Sequence, residues 1–157
     1  WMDISDITEK EVKGGRISYN ENLDYVTYSD CDIEVTKTEA EGVECFNIPY
    51  GNKMYFDVKD TVAKKPNGSI KVTFKYLDKG RLPIMLRYTS SVEDVHNLYK
   101  QEDKYITVER NNTGKWKEAE IVIDELSLEN SCKHLCDFVI SGQYSEAKVT
   151  DIKVEIQ

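Results

Sequence analysis

The chain has 157 residues, of which 39% are hydrophobic and 32% charged, a globular balance that suits one domain with a sizeable core and excludes a disordered polar chain. Its formal net charge of −8 argues against nucleic acid, whose phosphates need a basic face. No apolar stretch approaches the roughly 20 residues of a membrane helix, so no membrane partner is expected.

Residues 1–30 are polar and weakly patterned. Gly14-Gly15 reads as a flexible joint, and Tyr19, Tyr25 and Tyr28 suggest that part of this extension packs on the body. Trp1 is not a translation start, so a processed chain or a piece of a longer one is expected. From about residue 31 the chain reads as a β-domain that runs to Gln157.

Strands are expected over about 32–37 and 43–48, separated by the turn Glu39-Ala40-Glu41-Gly42. From Met54 the period is plainly two. Met54, Phe56 and Val58 share one face, with Tyr55 and Asp57 on the other. Ile70, Val72, Phe74 and Tyr76 repeat the rule, as do Leu82, Ile84, Leu86 and Tyr88. Such alternation marks strands with one buried side. Asn67-Gly68 and Asp78-Lys79-Gly80 supply turns between them.

A polar loop over 90–103 follows, in which residues 93–101 have room for one turn of helix. Strands are then expected over 104–109, 117–123, 137–142 and 147–156. The last loses its alternation near Thr150-Asp151, the mark of a bulge. Trp116, at the head of its strand, reads as core, as do Phe56, Phe74, Tyr76, Tyr88 and Phe138. Roughly nine short strands with turns every 8–12 residues indicate an all-β, two-sheet antiparallel sandwich or jelly roll.

The four cysteines are Cys31, Cys45, Cys132 and Cys136. Three readings stay open: a local Cys132–Cys136 disulfide with Cys31–Cys45 as a second bridge, buried free thiols, or zinc on Cys132, His134 and Cys136.

Several segments follow a familiar order: Met54-Tyr55-Phe56-Asp57-Val58-Lys59-Asp60, Val72 to Gly80, Met85-Leu86-Arg87-Tyr88, Thr113-Gly114-Lys115-Trp116-Lys117, and Asp137-Phe138-Val139-Ile140-Ser141. Over roughly residues 42–157 the chain resembles the galactose-binding-like jelly-roll domains of secreted bacterial polysaccharide-degrading enzymes. The resemblance implies a monomeric, non-catalytic carbohydrate-binding module of a secreted or cell-surface protein, tethered to a catalytic domain. Its ligand would be a polysaccharide or oligosaccharide, with plant cell-wall glucan or hemicellulose foremost. The resemblance also implies a structural Ca²⁺ between first and last strands, for which Asp151 and Glu44 (or Glu41) are the candidate carboxylates.

Sugar binding needs flat rings for the apolar face of a pyranose and planar polar groups for its hydroxyls. Two surfaces offer them. Tyr55, Asp57, Lys75, Met85, Arg87 and Asp137 alternate with core positions and would form a cleft if their strands share a sheet. The same face could equally be a solvated, ion-paired surface. A loop site would use Tyr50, His96 and Tyr99. Catalytic motifs for acyl or phosphoryl transfer or zinc proteolysis are absent from the sequence. A structural or adhesive sandwich without a glycan ligand is the alternative reading, and a domain that packs only on its own catalytic partner is a third.

Overall fold

A computed structural model describes residues 16–26, 35–59, 67–93, 101–127 and 137–157, and among these there is no helix. Eleven strands form: β1 (Arg16–Ser18), β2 (Leu23–Val26), β3 (Thr36–Ala40), β4 (Val43–Ile48), β5 (Lys53–Val58), β6 (Asn67–Leu77), β7 (Ile84–Glu93), β8 (Gln101–Val108), β9 (Trp116–Ser127), β10 (Phe138–Ser141) and β11 (Ala147–Ile156). All pairings are antiparallel. One sheet runs β2-β5-β10-β7-β8, with β1 extending it beyond β2. The other runs β3-β4-β11-β6-β9. They meet at one corner, where Ser90 of β7 pairs with Leu126 of β9. The fold is a two-sheet β-sandwich.

The alternating positions meet in the interlayer. Phe46, Met54, Phe56, Ile70, Val72, Phe74, Ile84, Leu86, Phe138 and Ile140 are all buried in one cluster. Phe56 and Phe138, opposite one another in register, stack with centroids 5.3 Å apart. Tyr19 and Tyr25 meet the edge of Phe56 at 5.6 and 5.9 Å. That geometry suits the aromatic quadrupole better than a face-to-face sandwich.

The N-terminal segment, weakly patterned in sequence, supplies the edge hairpin of the first sheet. It is tied across the layers by amides. Asn20 Nδ2 donates to the Ile152 carbonyl at 2.9 Å, and Asn22 Nδ2 to that of Val154 at 2.8 Å. The expected bulge in β11 is present as a register shift between Thr150 and Lys153, with Asp151 at φ 51°. It skips one residue, so that Val149, Ile152 and Val154 all reach the core.

Some expectations change. The first described strand of the β-domain is Thr36–Ala40 rather than 32–37, of which 32–34 lie outside the described residues. Its turn tightens to Glu41-Gly42, both at positive φ (48° and 77°), as a two-residue hairpin requires. Strand structure extends into the loop expected over 90–103, through Glu93 and from Gln101; residues 94–100, where a helical turn had room, lie outside the described residues. Leu82 is not core but 47% exposed, because Pro83 has no N–H for the ladder and β7 starts only at Ile84. Trp116 is half-buried at the sandwich end, where its Nε1 donates to the Ala40 carbonyl at 3.0 Å. Cys45 is a buried free thiol whose pKa is pushed up by burial, which removes the Cys31–Cys45 bridge. Cys31, Cys132, His134 and Cys136 lie outside the described residues.

Truncating Phe56, the ring that joins both tyrosines of the edge hairpin to Phe138, should leave a cavity between the sheets. Phe56→Ala is expected to lower unfolding free energy by about 3–5 kcal/mol in urea titrations.

Candidate functional site

The outer face of the first sheet follows from its register. Tyr55, Val139, Arg87 and Tyr105 stand side by side across β5, β10, β7 and β8. Lys53, Ser141, Met85 and Thr107 form the next row. Side chains directly opposite on neighbouring strands lie about 5 Å apart and act together.

A cleft of about 360 Å³ opens over these rows at one end of the sandwich. Lys53, Met85, Arg87, Val139 and Ser141 floor it, and Tyr50, Tyr105 and Tyr144 stand around it. Those rings are 63%, 57% and 69% exposed. Six large apolar or aromatic side chains are exposed among the described residues, and these three are all the tyrosines in that group. The cleft thus gathers exposed rings rather than sharing a random scatter of them. Gln143 adds an amide. None of the described residues lining it is Asp or Glu.

Two turns place the outer rings. Pro49-Tyr50-Gly51-Asn52 closes with the Asn52 N–H donating to the Pro49 carbonyl at 3.0 Å, and Gly51 takes φ 78° at the position where that turn favours glycine. Residues 142–145 turn through Gln143 at φ 57°, with the Ser145 N–H and Oγ donating to the Gly142 carbonyl at 3.0 and 2.8 Å. A Cβ on Gly142 would collide with the Ser145 carbonyl oxygen, so this close approach admits glycine alone.

The far side of the same turn borders a second cleft of about 300 Å³, lined by residues 79–82, Arg110, Ser145, Glu146 and Lys148. Arg110 is 4% exposed and reaches three oxygens: the Leu82 carbonyl at 2.5 Å, the Glu146 carbonyl at 2.8 Å and Ser145 Oγ at 2.5 Å. Beside it Asp78 is fully buried. Its carboxylate accepts from the Asn111 N–H at 2.6 Å and Thr113 Oγ1 at 2.6 Å, and pairs with Lys117 Nζ at 2.8 Å. The Lys117 ammonium first, then the Thr113 hydroxyl, hold its pKa well below the usual carboxylate range.

The sequence candidates scatter in instructive ways. Met85 and Arg87 of the expected sheet face and Tyr50 of the expected loop site come together in one cleft. Tyr55 and Asp57 face outward as expected but are 7% and 5% exposed, which leaves them no surface to offer. Asp137 is buried and turned onto backbone, its Oδ2 accepting from the Val58 N–H at 2.8 Å. Lys75 does not join the group, because β6 belongs to the opposite sheet, where Lys75 pairs with Asp151 at 3.2 Å. His96 and Tyr99 lie outside the described residues. Tyr105 and Tyr144 were missed. Alternation with inward Ile106 and Val108 turns Tyr105 outward, and an aromatic in the turn Gly142-Gln143-Tyr144-Ser145 was the other available signal.

Of the two calcium candidates, Glu44 pairs with Lys37 at 3.6 Å and Asp151 with Lys75 at 3.2 Å, and both carboxylates are exposed. No group of three or more His, Cys, Asp or Glu able to hold a metal occurs among the described residues.

A solved structure titled "Family 16 Carbohydrate Binding Module-2" is similar to this chain, with a TM-score of 0.42 and 11% identity over 89% of each chain. That distance is too great to transfer a function. No family model matches the sequence, and no curated protein matches it.

Two outcomes follow from the turn and the buried carboxylate. Gly142→Ala should cost about 1–3 kcal/mol in urea titrations, the usual range for forced overpacking. A carboxylate with a depressed folded-state pKa stabilises fully above its unfolded value of about 3.8. That contribution should fade as pH falls from there and be lost once pH passes the folded value. Asp78→Asn should therefore lower the urea midpoint at pH 7 and narrow the gap between wild type and variant near pH 2.

Proposed function

We propose that this β-sandwich is a carbohydrate-binding module whose ligand lies in the cleft between Tyr50, Tyr105 and Tyr144. The observation that carries the reading is the convergence of three exposed rings over a floor with donor groups. A pyranose has an apolar face that packs on an aromatic ring and a rim of hydroxyls that need directed hydrogen bonds. Tyrosine serves both, since its body is apolar and its hydroxyl donates and accepts. The Arg87 guanidinium and the Gln143 amide add planar polar groups, and Met85 supplies a soft apolar floor.

The finer reading is a galactose-binding-like jelly roll in a secreted parent chain. Within such a chain its work would be targeting, because a tether to a polysaccharide-active domain raises that domain's effective concentration at the polymer. The resemblance in residues 42–157 supports this.

Affinity electrophoresis of the isolated chain through gels loaded with soluble polysaccharides tests the proposal. At least one polymer should retard the wild type. Tyr105→Ala and Tyr144→Ala should each weaken retention about tenfold, the scale of a central aromatic contact. Val122→Ala, at an exposed position of the opposite sheet, should leave it unchanged. Binding that survives both tyrosine truncations would sink the cleft assignment.

A further inference from the structure

The two clefts share a wall. Gln143 and Tyr144 line the first, and the next two residues, Ser145 and Glu146, line the second. The chain carries 29 acidic and 21 basic residues, so an average patch of its surface is acidic. The joint lining is the reverse. It holds six basic side chains, Lys53, Lys79, Arg81, Arg87, Arg110 and Lys148, against the single acid Glu146.

Part of this charge is used within the protein. Lys148 pairs with Glu146 at 2.6 Å, and Arg110 is committed to the three oxygens of the turn and the 79–82 loop. Lys79 acts on the Glu146 carboxylate from beyond ion-pair distance, and among the described residues no carboxylate lies within that distance of Arg81 or Arg87. Arg87 is the most telling of them. It stands between Val139, 2% exposed, on one neighbouring strand and the Tyr105 ring on the other, with Met85 in the next row. A weakly hydrated guanidinium among apolar neighbours presents its planar fork to a partner of opposite charge, and a carboxylate fits that fork with two parallel hydrogen bonds.

Neutral sugar hydroxyls both donate and accept, so a site built for them alone mixes acceptors with donors. The first cleft has such mixed groups in its tyrosine and serine hydroxyls and the Gln143 amide, but it adds two cations, Lys53 and Arg87, with no acid among its described lining. From the carbohydrate reading above, on which this step rests, we infer that the ligand is an anionic polysaccharide. A carboxylate or sulfate group would meet Arg87 while its ring packs on Tyr105, and the chain would continue over the 142–146 turn toward Arg81 and Lys79. The net −8 of the whole chain opposes such a polymer only at long range, where salt screens it beyond about 8 Å.

Titration calorimetry on the intact 157-residue chain tests this with charged and uncharged polymers, of which polygalacturonate and its methyl ester share one backbone and differ chiefly in charge. The probes are polygalacturonate, its fully methyl-esterified form, a sulfated galactan without uronic acid, and neutral glucan and mannan. Polygalacturonate or the sulfated galactan should bind at least about tenfold more tightly than any uncharged polymer, the scale of a charge-assisted hydrogen bond. Which of the two leads identifies the anionic group. The preference should shrink between about 20 and 500 mM NaCl. Arg87→Gln should remove it while keeping the wild-type urea midpoint, and Arg81→Gln, on an exposed loop, should reduce it. Equal or tighter binding of the esterified or neutral polymers would overturn the inference and leave the carbohydrate reading standing. Failure of every polymer, charged or not, would overturn both.

Discussion

The loops at the cleft end of this sandwich hang on two charges kept away from water, Asp78 and Arg110. A buried carboxylate or guanidinium is costly unless partners replace its hydration. Asp78 finds them in Asn111, Thr113 and Lys117, and Arg110 finds them in Leu82, Ser145 and Glu146. The partners of Asp78 lie more than 30 residues along the chain, at 111–117, and those of Arg110 come from two separate loops, at Leu82 and at Ser145-Glu146. Satisfying the two charges therefore fixes the 78–82 connection, the 110–115 segment and the 142–146 turn against one another. Backbone bonds finish the joint, with the Gly114 N–H donating to the Asp78 carbonyl at 2.8 Å and the Asp78 N–H to that of Lys115 at 2.9 Å. Loops held this way can present side chains with the precision of a strand, which a binding surface needs.

The two outer faces of the sandwich answer different demands. On the second sheet, lysines and acids from neighbouring strands interleave. Lys71 reaches Glu155 at 3.1 Å and Glu120 at 3.9 Å, Lys75 reaches Asp151, and Lys37 reaches Glu44. Exposed pairs of this kind contribute little stability but keep a sheet face wet and free of apolar patches. On the first sheet the same strand period instead brings out Arg87, Met85 and Tyr105, with the tyrosines of two turns above them. A solvated face and a cleft were rival readings of the outward residues, and the molecule has one of each.

That asymmetry also explains why Lys75 and Arg87, alike in sequence pattern, have different roles. Both are outward cations on β-strands. Lys75 faces an aspartate lifted by the bulge of β11, and Arg87 faces an aromatic ring on β8 and an aliphatic on β10. Neighbours across the sheet, not position along the strand, decide whether a charge is neutralised or left unpaired by a carboxylate.

What the amino-acid order determined alone is the sandwich itself. Inward and outward positions are a local property, because successive side chains of a strand point to opposite sides whatever the strand pairs with. Hence the alternation around Phe56, Phe74 and Leu86, the bulge near Asp151 and the outward aim of Met85 and Arg87 were all legible. The N-terminal hairpin was not, since its strands are three and four residues long and its anchoring comes from its own asparagine amides, which donate to carbonyls of a distant strand. Nor was the cleft, because its floor joins β5, β10 and β7, neighbours in space that are not consecutive in the chain. Only tertiary pairing could set Tyr105 beside Arg87, bury Tyr55 and Asp57 and send Lys75 to the other sheet. Strand order is fixed by the summed burial of the whole core, and no local pattern carries that sum.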